Sequence, residues 1–93
     1  MTFEWDEDKS EENLTKHGVS FEEAVETFAD DAAVEYFDPA HSTEGEKRYA
    51  RVAFSSARLL FVVYTERGET LRIIHARKPS KRMREDYEEQ NRN

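Results

Sequence analysis

The spacing of apolar residues changes period along this chain, and each change marks an element. Phe3-Glu4-Trp5 alternates, which predicts a short opening strand. Asp6 or Asp8 can cap a helix running to about His17, with Gly18 as its left-handed stop. Ser20 and Glu23 occupy the N-cap and N3 positions of a capping box. The helix it opens places Phe21, Ala24, Val25 and Phe28 on one face, at i, i+3, i+4 and i+7. Val34 to Phe37 then reads as a strand closed by Asp38-Pro39, and the polar stretch Ala40 to Glu46 as a mobile loop. Three further strands follow, Arg48 to Phe54, Leu59 to Thr65 and Thr70 to Ala76, with hairpin-length turns between them. Leu59 to Tyr64 lacks polar alternation, so it predicts a central strand covered on both faces. Pro79-Ser80 opens a last helix from about Lys81 to Gln90, whose apolar seam is the i, i+4 pair Met83 and Tyr87. The expected plan is α+β: a short N-terminal strand, two helices, a four-stranded antiparallel curved sheet and a C-terminal helix, with the helices on one face.

Length and composition narrow this picture. Residues 1–93 suffice for one domain with one modest core, in which Phe21, Phe28, Phe54 and Phe61 are the large pieces. The absence of Cys excludes disulfides, thiolate zinc sites and cysteine nucleophiles, and suits a cytoplasmic protein. The opening residues do not read as a signal peptide, and the apolar run Leu59 to Tyr64 is too short to span a bilayer, so no membrane association is expected. Asp30-Asp31 and Glu22-Glu23 are adjacent rather than at ligand spacing, and no His-x-x-x-His occurs, so a metal is not expected. No Gly-rich phosphate loop is present, and the chain implies no cofactor.

Charge alters the reading most. Residues 1–46 hold fifteen Asp/Glu against two Lys/Arg, whereas residues 47–93 hold twelve Lys/Arg against six Asp/Glu. The net charge of −7 hides this division. Arg72, Arg77, Lys78, Lys81, Arg82 and Arg84 crowd the last third, as on a surface that meets phosphates or nucleic acid.

Several blocks together resemble one family. Trp5-Asp6 followed by Lys9, Asn13-Leu14, the run Lys16-His17-Gly18-Val19-Ser20-Phe21-Glu22-Glu23-Ala24, the strand Leu71-Arg72-Ile73-Ile74-His75-Ala76-Arg77 and the final basic helix with Tyr87 resemble the BrnT toxins of bacterial type II toxin–antitoxin pairs. The resemblance implies a RelE-like fold, metal-independent RNA cleavage, and neutralisation by a BrnA-like ribbon-helix-helix antitoxin. It further implies a hetero-oligomer with that antitoxin, which alone would contact promoter DNA. Relatives commonly carry a small polar residue at the position of His75 and Glu at that of Met83. Ser80 therefore keeps its N-cap while the reciprocal carboxylate is lost.

Cleaving RNA without a metal requires a base for the 2′-hydroxyl, positive charge for the phosphorane, an acid for the 5′ oxygen and an in-line grip on the strand. Arg72 and Arg77 suit the charge, since a guanidinium grips two phosphate oxygens. Alternation places Arg72 with Ile74 and Ala76 on one face, and Leu71, Ile73 and His75 on the other. Arg72 also fits a solvated outer face. Lys16 and His17 end the first helix, where cations complement its dipole, and His17 can equally act as acid or base. Lys78, Lys81, Arg82 and Arg84 are candidate RNA contacts, or an ordinary solvated face with pairing such as Arg84 to Glu88. His75 reads as a core-facing or sheet-face residue, His41 as inert and Trp5 as packing for the first helix. A rival function is a non-catalytic binding module that serves as co-repressor with a DNA-binding partner.

Overall fold

The computed structural model describes residues 1–92. Its elements are β1 (Thr2–Glu4), α1 (Glu7–His17), α2 (Phe21–Glu26), β2 (Val34–Asp38), β3 (Lys47–Phe54), β4 (Leu59–Arg67), β5 (Thr70–Arg77) and α3 (Lys81–Gln90). The five strands form one mixed sheet in the order β1-β5-β4-β3-β2. β2 to β5 make the expected antiparallel meander, but β1 also joins the sheet, parallel to β5, with Glu4 opposite Arg72. A parallel pair needs a long crossover, and α1, α2 and β2 to β4 all lie between β1 and β5 in the chain.

Local chemistry sets the helix ends. Asp6 caps α1 by accepting a hydrogen bond from Lys9 N at 3.1 Å. Gly18 ends it in the left-handed region, φ 71°, with its N–H bonded to Leu14 O at 2.9 Å. Ser20 caps α2 through Glu23 N at 3.0 Å. The reciprocal half of the predicted capping box is not made, because the Glu23 carboxylate turns to Arg58 and Ser55. Beyond Glu26 the helix tightens into a 3-10 turn, Thr27–Ala29, which carries Phe28. Gly68-Glu69 is the turn joining β4 and β5, and Gly68 takes φ 59°, so the hairpin is tighter than its sequence suggested. The polar stretch after β2 is tied down rather than loose: Ser42 Oγ donates to Asp38 O and accepts from Arg48 N, and Thr43 N donates to Glu46 O.

The core lies between the sheet and α2. Val19, Phe21 and Ala24 pack on Leu60, Val62, Tyr64, Leu71, Ile73 and Ala76, with Phe3, Trp5 and Phe28 at the margin. β4 is central and covered on both sides, as its unbroken apolar run predicted. The α1 helix docks by polar means instead. Its buried residues are Ser10 and Asn13, while Leu14 is exposed.

The helices do not share one face. Partners directly opposite in a ladder point the same way. Val62 and Arg51 therefore face α2, whereas Phe61, Val52, Val63 and Ala50 face the other side. That second side receives α3: Met83 lines a groove with Tyr36, Ala50 and Phe61, and the Tyr87 ring meets Phe54 edge-on at 5.6 Å. Tyr87 also donates a hydrogen bond to Asp30 at 2.9 Å, and Tyr36 one to Asp86 at 3.3 Å. The apolar seam Met83–Tyr87 has the predicted residues but lies on the opposite face from the one expected. Along α3 the i, i+4 ion pair is Arg82–Asp86 at 3.6 Å, not Arg84 with Glu88.

Candidate active site

Asn13 fixes where α1 meets the sheet. Beyond Arg72 the outer edge of β5 has no strand partner, because β1 ends at Glu4. Asn13 fills that gap: its Nδ2 donates to Ala76 O at 2.8 Å and to Val19 O at 2.9 Å, and its Oδ1 accepts from Ala76 N at 3.2 Å. One side chain thereby continues the ladder and holds the end of α1 against β5.

A bulge in β5 then decides what faces outward. Val63 pairs with His75 and Tyr64 with Ile73, which leaves Ile74 as the extra residue. Leu71, Ile73 and Ala76 consequently all lie in the core. Arg72, His75 and Arg77, opposite Thr65, Val63 and Phe61, share the second face. Strict alternation had placed His75 with Leu71 and Ile73, and Ala76 with Arg72. The extra residue reverses both assignments.

The expected residues separate into three groups. Lys16 and His17, from the end of α1, line a depression with Lys9, Glu12, Asn13, Ile74 and His75. The rings of His17 and His75 meet edge to face, 4.8 Å between centroids. Burial, and then the charges of His17, Arg77, Lys16 and Arg48, hold the His75 pKa below its ordinary value. Lys16 and His17 share the depression with His75, Arg77 follows two positions on along the same face of β5, and Arg48, on that face of β3, is paired to Asp38 at 3.8 Å. Arg77 lies over the Phe61 ring at 4.5 Å, and its Nη1 donates to Lys78 O, so its fork is partly fixed in direction.

Arg72 stands apart. It pairs with Glu4 at 3.5 Å and lines a second depression of mixed charge with Glu46, Thr65, Arg67 and Thr70. Glu46 is held below the usual carboxylate range, first by the hydrogen bond it accepts from Arg67 at 2.9 Å. Thr65 lies between Arg48 and Arg72 across the ladder, so the two depressions share one face of the sheet. Lys78, Lys81, Arg82 and Arg84 form the third group, all exposed near the start of α3, with Arg82 paired to Asp86.

Two residues and one irregularity have roles here that periodicity does not reveal. Arg48 is indistinguishable from any strand-end cation until the pairing is known. Asn13 reads as one more polar helix residue, and the bulge that turns His75 outward has no signature in an Ile-Ile pair. Trp5 was expected to pack for the first helix; its ring instead meets Phe21 of α2 edge-on at 6.1 Å, and its Nε1 donates to Glu7 of α1. His41 does make a contact, with Asp38 at 2.8 Å. Among the described residues, no three His, Asp or Glu side chains gather closely enough to hold a metal ion, and no helix is long and apolar enough to cross a membrane.

Comparison with known proteins bears on this arrangement. Residues 5–82 match the family model described as "Ribonuclease toxin, BrnT, of type II toxin-antitoxin system". No curated protein matches the chain.

Proposed function

The chain belongs to the BrnT family of ribonuclease toxins of type II toxin–antitoxin systems, and from that premise we propose that it is a metal-independent, RelE-like endoribonuclease of the cytoplasm. The observation that carries this reading is the depression at the α1–β5 junction, where Lys16 and His17 meet His75, with Arg77 on the same face of β5. Guanidinium and ammonium groups there would take up the charge that develops on the phosphorane, a task that fixed cations perform without reorganising. Arg77, held along the Phe61 ring, would supply the planar fork. Lys16 and His17 would position the strand or carry protons. Arg72 would contact a neighbouring phosphate once released from Glu4. Lys78, Lys81, Arg82 and Arg84, at the start of α3, would extend the RNA track. In-line attack by the 2′-hydroxyl would leave a 2′,3′-cyclic phosphate and a 5′-hydroxyl.

Such a toxin requires restraint in its own cell. The proposed partner is a BrnA-like antitoxin with a ribbon-helix-helix domain, in a hetero-oligomer that reaches promoter DNA through the antitoxin. Its acidic segments would complement the toxin's basic residues. The test is to incubate antitoxin-free protein with total RNA in excess EDTA and, separately, to express it without its partner. Fragmented RNA and growth arrest are expected. Intact RNA together with normal growth would overturn the enzyme reading and leave the co-repressor role.

A further inference from the structure

We infer that His75 is a second proton-carrying residue of the site, acting with His17 on one phosphodiester. The inference rests on the ribonuclease reading and adds a catalytic residue to it. The two imidazoles come from separate elements, α1 and β5, and meet at 4.8 Å in one depression. Each can reach an oxygen about 2.6–3.2 Å from a ring nitrogen. Rings so placed can therefore touch the attacking and the leaving oxygen of the same phosphorus.

A purely structural role fits His75 poorly. Half-buried histidines that only pack are ordinarily held by a hydrogen bond. Among the described residues, neither His75 nor His17 has a side-chain hydrogen bond to protein, so their nitrogens are free for a ligand. Lys9, Glu12, Lys16 and His17 from α1 line the depression with His75, Arg77 lies on the same face of β5, and Arg48, on that face of β3, is paired to Asp38 of β2. That predominantly basic setting opposes a second cation and favours an anion. The bulge at Ile74 adds to the case, since it serves to turn His75 out of the core and toward this depression.

The proton's preference sets the direction. Burial and the surrounding cations keep His75 neutral near neutral pH, so it is the base. The O2′–H bond breaks, the proton passes to a His75 nitrogen, and the released electron pair forms the O2′–P bond. The P–O5′ bond then breaks, O5′ keeps the pair, and it takes a proton from the His17 imidazolium. One proton has moved from His17 to His75, and exchange with water restores both.

The test compares wild type, His75→Gln, His75→Asn and His17→Gln on two substrates over a range of pH. One is an RNA oligonucleotide; the other is a nucleoside 3′-(4-nitrophenyl phosphate), whose leaving group needs no proton. Both His75 variants should lose about 10²–10⁴-fold in kcat with KM little changed, and lose it equally on the two substrates. They should also lose the acidic limb of the kcat/KM profile. His17→Gln should lose rate on the RNA oligonucleotide and regain it on the nitrophenyl ester. Both His75 variants should bind a 2′-O-methyl oligonucleotide as tightly as wild type, which a collapsed site would not. Wild-type kcat in the His75 variants, an intact acidic limb, or a loss confined to KM would overturn the inference alone. Failure of the wild-type protein to cut either substrate, or RNA on ribosomes, would overturn the ribonuclease reading and this inference with it.

Discussion

Replacing Asn13 with Ala should be among the most damaging changes outside the apolar core. The side chain is 6% exposed and makes three hydrogen bonds, to Val19 O, Ala76 O and Ala76 N. Val19 and Ala76 are fully buried, so truncation strands three backbone groups that have no other partner to turn to. Each stranded group costs about 1–3 kcal/mol, and a water entering the vacated space would recover part of that, which puts the expected loss near ~3 kcal/mol. A domain of this length holds roughly 5–14 kcal/mol in all, so the variant would keep its fold at 25 °C but with little margin. Urea unfolding followed by circular dichroism measures the loss directly, and the melting temperature should fall by roughly 10–20 °C. Asn13→Asp supplies a second check. At neutral pH its carboxylate would face two carbonyl oxygens, whereas a protonated acid could donate to one of them. Its penalty relative to wild type should therefore shrink as the pH is lowered. A loss below about 1 kcal/mol for Asn13→Ala would refute the claim that this amide holds α1 to the β5 edge.

Three further outcomes are expected. Arg58 grips Glu23 with two hydrogen bonds, at 3.0 and 2.8 Å, and donates to Gly18 O, so Arg58→Ala should cost about 2 kcal/mol in the same urea assay. The Arg58 hydrogen bond holds Glu23 below the usual carboxylate range, so wild type should lose stability as pH falls from 4.5 through the lower folded value, and the variant should lose less. His75 titrates below 6.5 in the folded protein, so its contribution is intact above 6.5 and declines as pH falls through the window beneath; His75→Gln should remove that part of the acid sensitivity in paired urea titrations. Arg77→Ala should weaken binding of a non-cleavable single-stranded RNA and flatten the log Kd against log salt slope by about 0.7, the loss of one phosphate contact.

The sequence exposed much of this fold because its local signals agree. Caps at Asp6, Ser20 and Ser80, the stop at Gly18 and the apolar run of β4 each act within a few residues, and each is found in the structure. Long-range pairing was less legible. Nothing in Thr2-Phe3-Glu4 specifies a parallel partner 68 positions away at Thr70, and the crossing of α3 to the second face depends on which side of β3 and β4 remains bare. The candidate site suffered most from one inserted residue. Lys16 and His17 were visible as cations at the end of α1 and line one depression with His75, while Arg77 lies on the same face of β5. Arg72 was visible in the same way, yet Glu4 holds it in a separate depression. His75 was assigned to the wrong face because alternation cannot reveal a bulge.

The central claim is that side chains alone, at the α1–β5 junction, cleave RNA through its own 2′-hydroxyl. Analysis of the cut ends after digestion in EDTA tests it most directly. The expected ends are 2′,3′-cyclic phosphate and 5′-hydroxyl, with no cutting at a site whose 2′-hydroxyl is methylated. Cleavage of that methylated site, 5′-phosphate termini, or cutting that appears only when a divalent cation is restored would contradict it.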